Sequence, residues 1–288
     1  MRAFELLEPR SVAEASAMLL EHGEGARALA GGTSLVLLLR NRLAQFSHVV
    51  HIGRLAELRG VLLADDGSLR IGALTTHAEV AAHPAIRSRF PVLAEMAAQV
   101  ANPQVRNVAT LGGNLCLADP ASDPPTCLAA LGARVRVRRG GEAREIELER
   151  FFRGYYETAL EPGEVLTEVI VPPLAAAQKA FYTRFITTPA EGRPLVSVAA
   201  CVAADGAQRW QDVRLVLGAA VGAPLRMARA EEMLKGRRPD AGLLAEAAAR
   251  AAQDLDAIGD VRASAAYRRE VARVLVRRVL ERALEPAR

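Results

Sequence analysis

The sequence predicts an α+β protein built from two or three subdomains. Its 288 residues exceed the length of about 150 residues that one domain typically has. Short apolar runs of the strand type alternate with helix start signals through the first part of the chain. Beyond Arg226 the sequence is rich in alanine, leucine and arginine, which favours helices.

A first helix is predicted from residue 11 to residue 22. Ser11 and Glu14 have the spacing of a capping box, and Gly23 follows as a helix end. Because an apolar run follows the pair Gly31-Gly32, we expect a second helix to open directly on these glycines. Further helices are predicted to start at Thr75-Thr76 and to span 91–101 and 126–131.

Strands in this part of the chain are predicted from apolar or alternating runs that end at turn residues. They lie at 49–52, 68–72, 135–137, 146–148 and 163–171. Asp65-Asp66-Gly67 and Gly140-Gly141 are the predicted turns, and Pro172-Pro173 ends the last strand.

A domain boundary is predicted near residues 175 to 179, where the composition shifts. This gives a first region of residues 1–176, with subdomains of about 1–55 and 56–176, and a C-terminal domain of residues 177–288. Strand-like runs at 196–202 and 213–217 precede its helices. The last helix is expected to expose its arginines and to bury one apolar face, formed by Val271, Val274, Leu275, Val279 and Leu280.

Two glycine pairs are the most informative motifs. They lie in Leu29-Ala-Gly-Gly-Thr-Ser-Leu35 and in Ala109-Thr-Leu-Gly-Gly-Asn-Leu115. Adjacent glycines allow positive φ angles and let backbone N–H groups converge on phosphate. One pair alone more often only turns the chain, whereas two pairs favour a nucleotide site. Neither pair has the Gly-x-Gly-x-x-Gly pattern of a Rossmann dinucleotide site.

Composition argues against several classes of function. The net charge is +4, and we interpret the C-terminal arginine excess as a solvated helix face, because no aromatic residues are interleaved for nucleic-acid binding. Cys116, Cys127 and Cys201 do not encode a disulfide framework, a zinc site or a four-cysteine iron–sulfur cluster. Without a signal peptide or an apolar run of about 18 residues, we expect a cytoplasmic protein with no membrane span.

Isolated polar residues are interpreted as structural. His51 and His77 have no second ligand at metal spacing, so we expect hydrogen-bonded structural histidines and no metal site. Cys116 is interpreted as a packed thiol rather than a redox-active one. For Tyr155 and Tyr156, a position at the domain junction and a position in a core stay equally open.

Taken in order, the motifs resemble the FAD-binding medium subunit of the molybdenum hydroxylases, the family of xanthine dehydrogenase and carbon monoxide dehydrogenase. The resemblance covers essentially the whole chain. The segments that carry it are Ala30-Gly-Gly-Thr-Ser34, Gly72-Ala-Leu-Thr-Thr-His77, Asn102-Pro-Gln-Val-Arg-Asn107, Thr110-Leu-Gly-Gly-Asn114, Asp119-Pro-Ala-Ser-Asp123, Glu157-Thr-Ala159 and Ala265-Ala-Tyr-Arg-Arg269.

The resemblance implies an FAD-binding fold of the PCMH type, with two N-terminal subdomains and a C-terminal antiparallel sheet with helices. It implies that Asp123 accepts hydrogen bonds from sugar-type hydroxyls, and that Ala101 and Leu166 line the flavin or the adenine. Arg184 aligns with a position near the isoalloxazine, where a cation stabilises the reduced flavin. The diphosphate is then held by Leu29, Ala30, Gly31, Gly32, Thr33, Ser34, Leu35, Thr110, Gly112, Gly113 and Asn114.

The resemblance also implies partners. A small subunit with two [2Fe–2S] clusters delivers electrons, and FAD passes them to NAD⁺, a quinone, oxygen or another acceptor. A large subunit holds the molybdenum cofactor and selects the substrate, in a dimer of heterotrimers. Because flavin itself carries the electrons, no catalytic side chain is predicted.

Two departures and two alternatives accompany this hypothesis. Ser34 stands where many members have aspartate, and Thr187-Thr188-Pro189 stands where many have a basic residue or tyrosine near the flavin. The first alternative is a scaffold or maturation protein that keeps the fold without FAD. The second is a stand-alone flavin oxidoreductase.

Overall fold

The fold is described here from a computed structural model that covers residues 2–188 and 192–285. Its strands are β1 (Glu5–Leu7), β2 (Ala26–Leu29), β3 (His48–His51), β4 (Val61–Leu63), β5 (Leu69–Gly72), β6 (Arg134–Arg139), β7 (Glu142–Glu147), β8 (Phe152–Gly154), β9 (Glu157–Thr158), β10 (Val165–Val171), β11 (Gln178–Phe185), β12 (Val196–Ala204), β13 (Trp210–Gly218) and β14 (Leu225–Arg226).

The helices are interspersed with these strands and dominate the C-terminal end. They are α1 (Val12–His22), α2 (Leu35–Arg40), α3 (His77–Ala82), α4 (Pro84–Arg89), α5 (Pro91–Gln99), α6 (Pro103–Arg106), α7 (Leu111–Leu117), α8 (Asp123–Ala130), α9 (Leu148–Phe151), α10 (Ala228–Leu234), α11 (Ala241–Asp254) and α12 (Ala265–Leu284). Short 3₁₀ turns cover Gly23–Gly25, Ile52–Arg54 and Ala56–Leu58.

The N-terminal part is a parallel three-stranded sheet in the order β1-β3-β2, covered by α1. The side chain of Ser11 accepts a hydrogen bond from the Glu14 N–H and caps α1 as predicted. The reciprocal half of the predicted capping box is wrong, because the Glu14 carboxylate accepts from the N–H of Arg10 instead. Val12, Ala15 and Val50 belong to the apolar core between helix and sheet.

The middle part is an antiparallel five-stranded sheet in the order β4-β5-β10-β6-β7. The predicted turns at 65–67 and 140–141 join β4 to β5 and β6 to β7. Helix α3 begins after Thr76, as predicted, and the structure adds a complete capping box between Thr76 and Glu79. The helices α3, α5, α7 and α8 share one apolar core with this sheet, and α5 ends at Gln99, two residues before the predicted end.

The C-terminal part is an antiparallel four-stranded sheet in the order β11-β12-β13-β14, with α10, α11 and α12 packed on it. The predicted apolar face of α12 is partly wrong. Val274 is 38% exposed, whereas Val276 and the whole side chain of Arg268 are buried. Arg268 is tolerated inside because it donates to the carbonyls of Leu195 and Ala219 and pairs with Asp260.

The mixture of sheets and helices agrees with the expected α+β class, including the antiparallel sheet at the C-terminal end. Within residues 2–188 and 192–285, no helix combines the length and the apolar character that a membrane crossing requires. The same two ranges contain no cluster of three or more histidine, cysteine or acidic side chains suited to a metal ion.

Candidate functional site

A cavity of about 730 Å³ opens between the N-terminal parallel sheet and the middle part of the chain. This volume lies within the range of roughly 300–1,000 Å³ that is typical of small-molecule sites. Three stretches supply most of its wall: β2 with the first glycine loop, the start of α7 with the second glycine pair, and residues 156–166, which run into the start of β10. The cavity therefore depends on segments that are distant in sequence.

The first glycine pair lies where the chain passes from β2 to α2. Gly32 has φ +73°, a conformation that L side chains rarely adopt, so glycine is required there. A Cβ atom on Gly31 would overlap the carbonyl oxygen of Val108, so this glycine lets the two glycine segments touch. Gly31 therefore permits close packing against Val108, and Gly32 permits the turn into α2.

The backbone amides of this first loop are available to a ligand. The N–H of Val36 bonds to the carbonyl of Gly32, as in the first turn of a helix. The preceding N–H groups, from Gly32 to Leu35, donate to no acceptor within the described ranges 2–188 and 192–285. Because they lie at a helix start that lines the cavity, they form a donor set for an anion.

The second glycine pair differs from the prediction. Gly112 and Gly113 lie inside α7 with helical rather than positive φ angles. Their N–H groups are already bonded, that of Gly112 to the Ala73 carbonyl and that of Gly113 to Thr110 Oγ1. A Cβ on Gly112 would lie 2.6 Å from the Ala73 Cβ, so this glycine is needed for close packing. The two pairs therefore differ in conformation and in the availability of their amides, and the predicted contact of the second pair with the diphosphate stays a prediction.

Asn114 provides a polar atom that faces no protein partner. Its side chain lines the cavity, and its Oδ1 atom is buried without a hydrogen bond to any described residue. Leaving a buried polar atom unpaired costs about 1–3 kcal/mol, so such atoms usually have a partner. An oxygen acceptor here suits a ligand hydroxyl or N–H group, not a phosphate oxygen.

The cavity brings together most of the residues that the resemblance implied. The whole first loop and the second glycine segment line it, and so does Leu166 on β10. Ala101, Asp123 and Arg184 do not belong to its lining. The members that line it are Leu29, Ala30, Gly31, Gly32, Thr33, Ser34, Leu35, Thr110, Gly112, Gly113, Asn114 and Leu166.

Asp123 and Arg184 form a buried ion pair instead. Arg184 Nη1 lies 2.7 Å from Asp123 Oδ2, and the Tyr182 hydroxyl donates to Asp123 Oδ1. Burial raises the pKa of Asp123 to about 6, although the charge of Arg184 opposes this shift. Both carboxylate oxygens thus already accept hydrogen bonds, and the predicted role of Asp123 toward sugar hydroxyls stays a prediction.

Arg184 also bonds to the backbone near Ala101. It donates to the carbonyl of Gln99, two residues before Ala101, and to that of Gly192. Ala101 is exposed and has φ +42°, and its carbonyl accepts a hydrogen bond from Arg106. Thr187 and Thr188 follow β11 and are exposed, whereas Pro189 lies outside the described residues.

The cavity also contains a cationic and two aromatic residues for which the sequence predicted no ligand contact. Arg27 and Phe46 line its wall near β2, and Tyr156 lines it near β9 with φ +56°. Arg27 alternates with apolar residues in a short strand, a pattern that equally fits a solvated side chain. Of the two tyrosines left open, Tyr156 lines this cavity and Tyr155 lines a separate one of about 440 Å³.

Two polar groups near the cavity are inert at neutral pH. Cys116 lines the wall, and burial raises the pKa of its thiol to about 12, which agrees with a packed thiol. His77 is fully buried, and neither ring nitrogen bonds to a described residue, so the expected hydrogen bonds are wrong. Burial, with some repulsion from Arg106, lowers the pKa of His77 to about 4.

Known families match this chain along nearly its whole length. Residues 2–174 match the family described as the FAD binding domain in molybdopterin dehydrogenase. Residues 190–283 match the family described as the CO dehydrogenase flavoprotein C-terminal domain. The two matches follow each other in sequence and together include the cavity and the C-terminal sheet.

Individual proteins show the same similarity. The chain is 33% identical over 286 residues to the 6-hydroxypseudooxynicotine dehydrogenase complex subunit alpha of Paenarthrobacter nicotinovorans, covering 99% of this chain and 96% of the relative. It is 31% identical to the carbon monoxide dehydrogenase medium chain of Afipia carboxidovorans, with coverages of 98% and 96%. A solved carbon monoxide dehydrogenase from Hydrogenophaga pseudoflava superposes with a TM-score of 0.94 at 32% identity, covering 98% of this chain and 97% of that one.

Proposed function

The chain belongs to the family of FAD-binding medium subunits of the molybdenum hydroxylases, and we propose that its large cavity holds FAD and conducts electrons to an external acceptor. The fold is the expected PCMH type, and FAD is the cofactor of the family. The chain is the flavin subunit of an oxidoreductase of the xanthine dehydrogenase and carbon monoxide dehydrogenase type.

The observation that carries the proposal is the donor set of the first glycine loop. Four consecutive N–H groups, from Gly32 to Leu35, line the cavity without an acceptor in the described chain. Such amides at a helix start suit the oxygens of a diphosphate. The unpaired Asn114 Oδ1 suits a donor on the same ligand. The residues present therefore fit FAD, although the second glycine pair contributes packing rather than free amides.

Bound flavin supplies the redox chemistry, because it accepts electrons singly and donates them in pairs. The side chains of this protein bind and orient the cofactor. Cys116 is protonated at neutral pH and cannot act as a thiolate. We therefore assign no catalytic side chain and no metal ligand.

The remaining contacts to FAD are part of the proposal. We assign Ala101 and Leu166 to the flavin or adenine rings and Asp123 to sugar hydroxyls. Arg184 is assigned a place near the isoalloxazine. Since Arg184 already pairs with Asp123, its effect on flavin would be that of a neutralised pair rather than a free cation.

The proposed partners follow from the kind of subunit that the relatives are. We propose a small subunit with two [2Fe–2S] clusters, a large subunit with the molybdenum cofactor, and a dimer of such heterotrimers in the cytoplasm. The only cysteines of this sequence are Cys116, Cys127 and Cys201, and a cluster of four thiolates therefore needs another chain. NAD⁺ and a quinone are the acceptors to test first.

A visible absorption spectrum of the purified full-length chain tests FAD binding. We expect flavin bands, either as isolated or after addition of FAD and removal of the excess. Their absence under both conditions would contradict the proposal and favour a scaffold or maturation protein. Turnover of an organic substrate by the isolated chain would instead favour a stand-alone flavin oxidoreductase.

Isolation of the native complex tests the partners. The protein is expressed with an affinity tag in its native host, and the chains that co-purify with it are identified by mass spectrometry. We expect one chain with iron–sulfur cysteines and one larger chain with molybdenum. Reduction of the bound flavin by candidate substrates, followed by oxidation with NAD⁺ or a quinone, then identifies the acceptor. Purification of a flavin-loaded chain without either partner would contradict the heterotrimer.

A further inference from the structure

Among the described residues that line the large cavity, Arg27 is the only one with a cationic side chain. It lies on β2, two residues before Leu29, on the wall that leads into the first glycine loop. The Arg27 side chain is exposed, and its guanidinium forms no hydrogen bond or ion pair with residues 2–188 and 192–285. A cation at a cavity wall without a protein partner is available to an anionic ligand.

Phe46 holds the guanidinium without neutralising it. The Arg27 Cζ atom lies 5.7 Å from the centroid of the Phe46 ring, within the range of a cation–π contact. Phe46 lines the same cavity. Because an aromatic face restricts the side chain but leaves its five N–H donors open, the charge is oriented in advance of ligand binding.

The positive charge of Arg27 also acts on the Cys116 thiol, which lies in another wall of the cavity. Cys116 lies on α7, just after the second glycine pair. Burial has the largest effect on its thiol pKa and raises it, and the positive charge of Arg27 acts in the opposite direction. Arg27 on β2 is therefore close enough to interact electrostatically with the segment that packs against the first loop.

Four acidic side chains line the cavity in the described part of the chain, namely Glu24, Glu157, Glu161 and Glu164, and none of them forms an ion pair with Arg27 there. Glu164 accepts hydrogen bonds from Arg144 and from the N–H of Glu161. Glu161 pairs with Arg139 and Arg144. Glu161 and Glu164 are thus neutralised by arginines of the β6–β7 hairpin, which do not line the cavity, whereas Glu24 and Glu157 have no ion-pair partner among the described residues.

We propose that Arg27 is a binding residue for the diphosphate of FAD and supplies the positive charge that the neutral amides of Gly32 to Leu35 lack. This inference rests on the proposed function. A charged donor forms hydrogen bonds to phosphate that are roughly twice as strong as those of a neutral donor. Amides and guanidinium together would distribute the two negative charges of the diphosphate over two walls.

Titration of the full-length apo-protein with FAD, followed by quenching of flavin fluorescence, tests the inference. Dissociation constants are compared at about 0.01 M and about 1 M salt, where the Debye length is about 30 Å and about 3 Å. We expect Arg27→Gln to weaken FAD binding about tenfold at low salt and much less at high salt. Arg27→Lys keeps the charge and should lose only part of the affinity.

Arg87→Gln is the matched control, because Arg87 is an exposed arginine on α4 that does not line the cavity. It should bind FAD like the unchanged protein at both salt concentrations. Equal affinities of Arg27→Gln and unchanged protein would overturn the inference. So would a loss that is independent of salt, which indicates stacking on a ring of the ligand. If the unchanged protein fails to bind FAD, the proposed function itself fails.

Discussion

At the scale of single residues, His77 links the core of the middle part to the cavity. Its N–H donates to the carbonyl of Ala109, and the neighbouring Thr76 pairs with Thr110 at the start of the second glycine segment. Its imidazole is fully buried without a hydrogen-bond partner among the described residues. The folded state therefore favours the neutral imidazole of His77 over the protonated one.

His77 predicts a dependence of stability on acid. Its pKa in the folded state is about 4, below the ordinary 6.5, so the unfolded chain binds a proton that the folded chain does not. The stabilisation is complete above pH 6.5 and decreases as the pH falls toward 4. The slope from this group approaches about 1.4 kcal/mol per pH unit.

Urea unfolding of His77→Leu between pH 7 and pH 4 measures this effect. We expect the free energy of unfolding to fall less steeply with acid in the variant than in the unchanged protein, whatever its value at pH 7. Parallel pH profiles for the two proteins would contradict the assignment of the titration to His77.

Gly32 predicts a specific loss of cofactor. Gly32→Val forces a β-branched side chain into a positive φ angle and places a Cβ 3.2 Å from Leu29 Cδ1 and Val36 Cγ2. The turn that presents the free amides should then rearrange, and we expect the purified variant to retain no FAD. Flavin content per chain, measured after protein denaturation, is the readout.

Gly140 offers the control, because it has φ +58° at the β6–β7 turn and open space around it. Gly140→Val imposes the same kind of backbone strain away from the cavity, and we expect it to keep its flavin. Full flavin content in Gly32→Val would refute the role of this turn.

In Gly113→Val, the Cβ would lie 2.7 Å from Thr110 Oγ1, so we expect flavin loss through a displaced helix cap.

At the scale of elements, one buried arginine fixes the start of α12. Arg268 Nη1 donates to the carbonyls of Leu195 and Ala219, at 2.7 and 3.0 Å, and Nη2 lies 2.7 Å from Asp260 Oδ2. It thereby joins the helix to the beginning of β12, the end of β13 and the loop before the helix. A buried charge with these partners specifies how α12 docks.

Arg268→Met should therefore destabilise the protein strongly. Removal of the guanidinium leaves the carbonyls of Leu195 and Ala219 without this donor, at about 1–3 kcal/mol for each buried group, whereas the Asp260 side chain is 37% exposed and can be hydrated. Chemical unfolding of the full chain measures the loss. Arg278→Met on the same helix is the control, since Arg278 is exposed, and its effect should stay within about 0.5 kcal/mol. Similar losses for both variants would contradict this account.

At the scale of the whole molecule, α8 connects the middle part to the C-terminal sheet. Its first residue, Asp123, accepts from Tyr182 and Arg184 on β11. One turn later Thr126 Oγ1 lies 2.9 Å from Ser197 Oγ on β12. Tyr182 and Val216 of the C-terminal sheet belong to the same apolar core as α5 and α8. The middle part of the chain, which forms one side of the cavity, is thus packed against the C-terminal sheet.

Gly218 at the end of β13 tests this packing. A Cβ there would overlap Thr126 Oγ1 and would lie 3.0 Å from Ser197 Oγ. We expect Gly218→Ala to lower the free energy of unfolding by about 1–3 kcal/mol, the usual cost of overpacking a core. The double variant Gly218→Ala/Thr126→Ala removes the overlapping oxygen and should be less destabilised than the sum of the two single variants. Additive losses would contradict close contact between α8 and the sheet.

The sequence by itself determined the local features. Capping of α1 by Ser11, the capping box of α3, the β6–β7 hairpin and the first glycine pair depend on neighbours a few residues away, and sequence patterns describe such neighbours well. The segments that resemble the family also identified the cofactor, because their order along the chain is itself sequence information.

Only the tertiary structure decided which polar groups already have a partner within the protein and which are open to a ligand. The Gly112 amide is used by Ala73, Asp123 is neutralised by Arg184, Arg268 is buried and Arg27 is left open to the cavity. Short β1 and β2 were missed because their pairing with β3 supplies their hydrogen bonds. Each of these outcomes depends on residues far apart in sequence, whose approach is fixed by packing of the whole chain and leaves no local pattern.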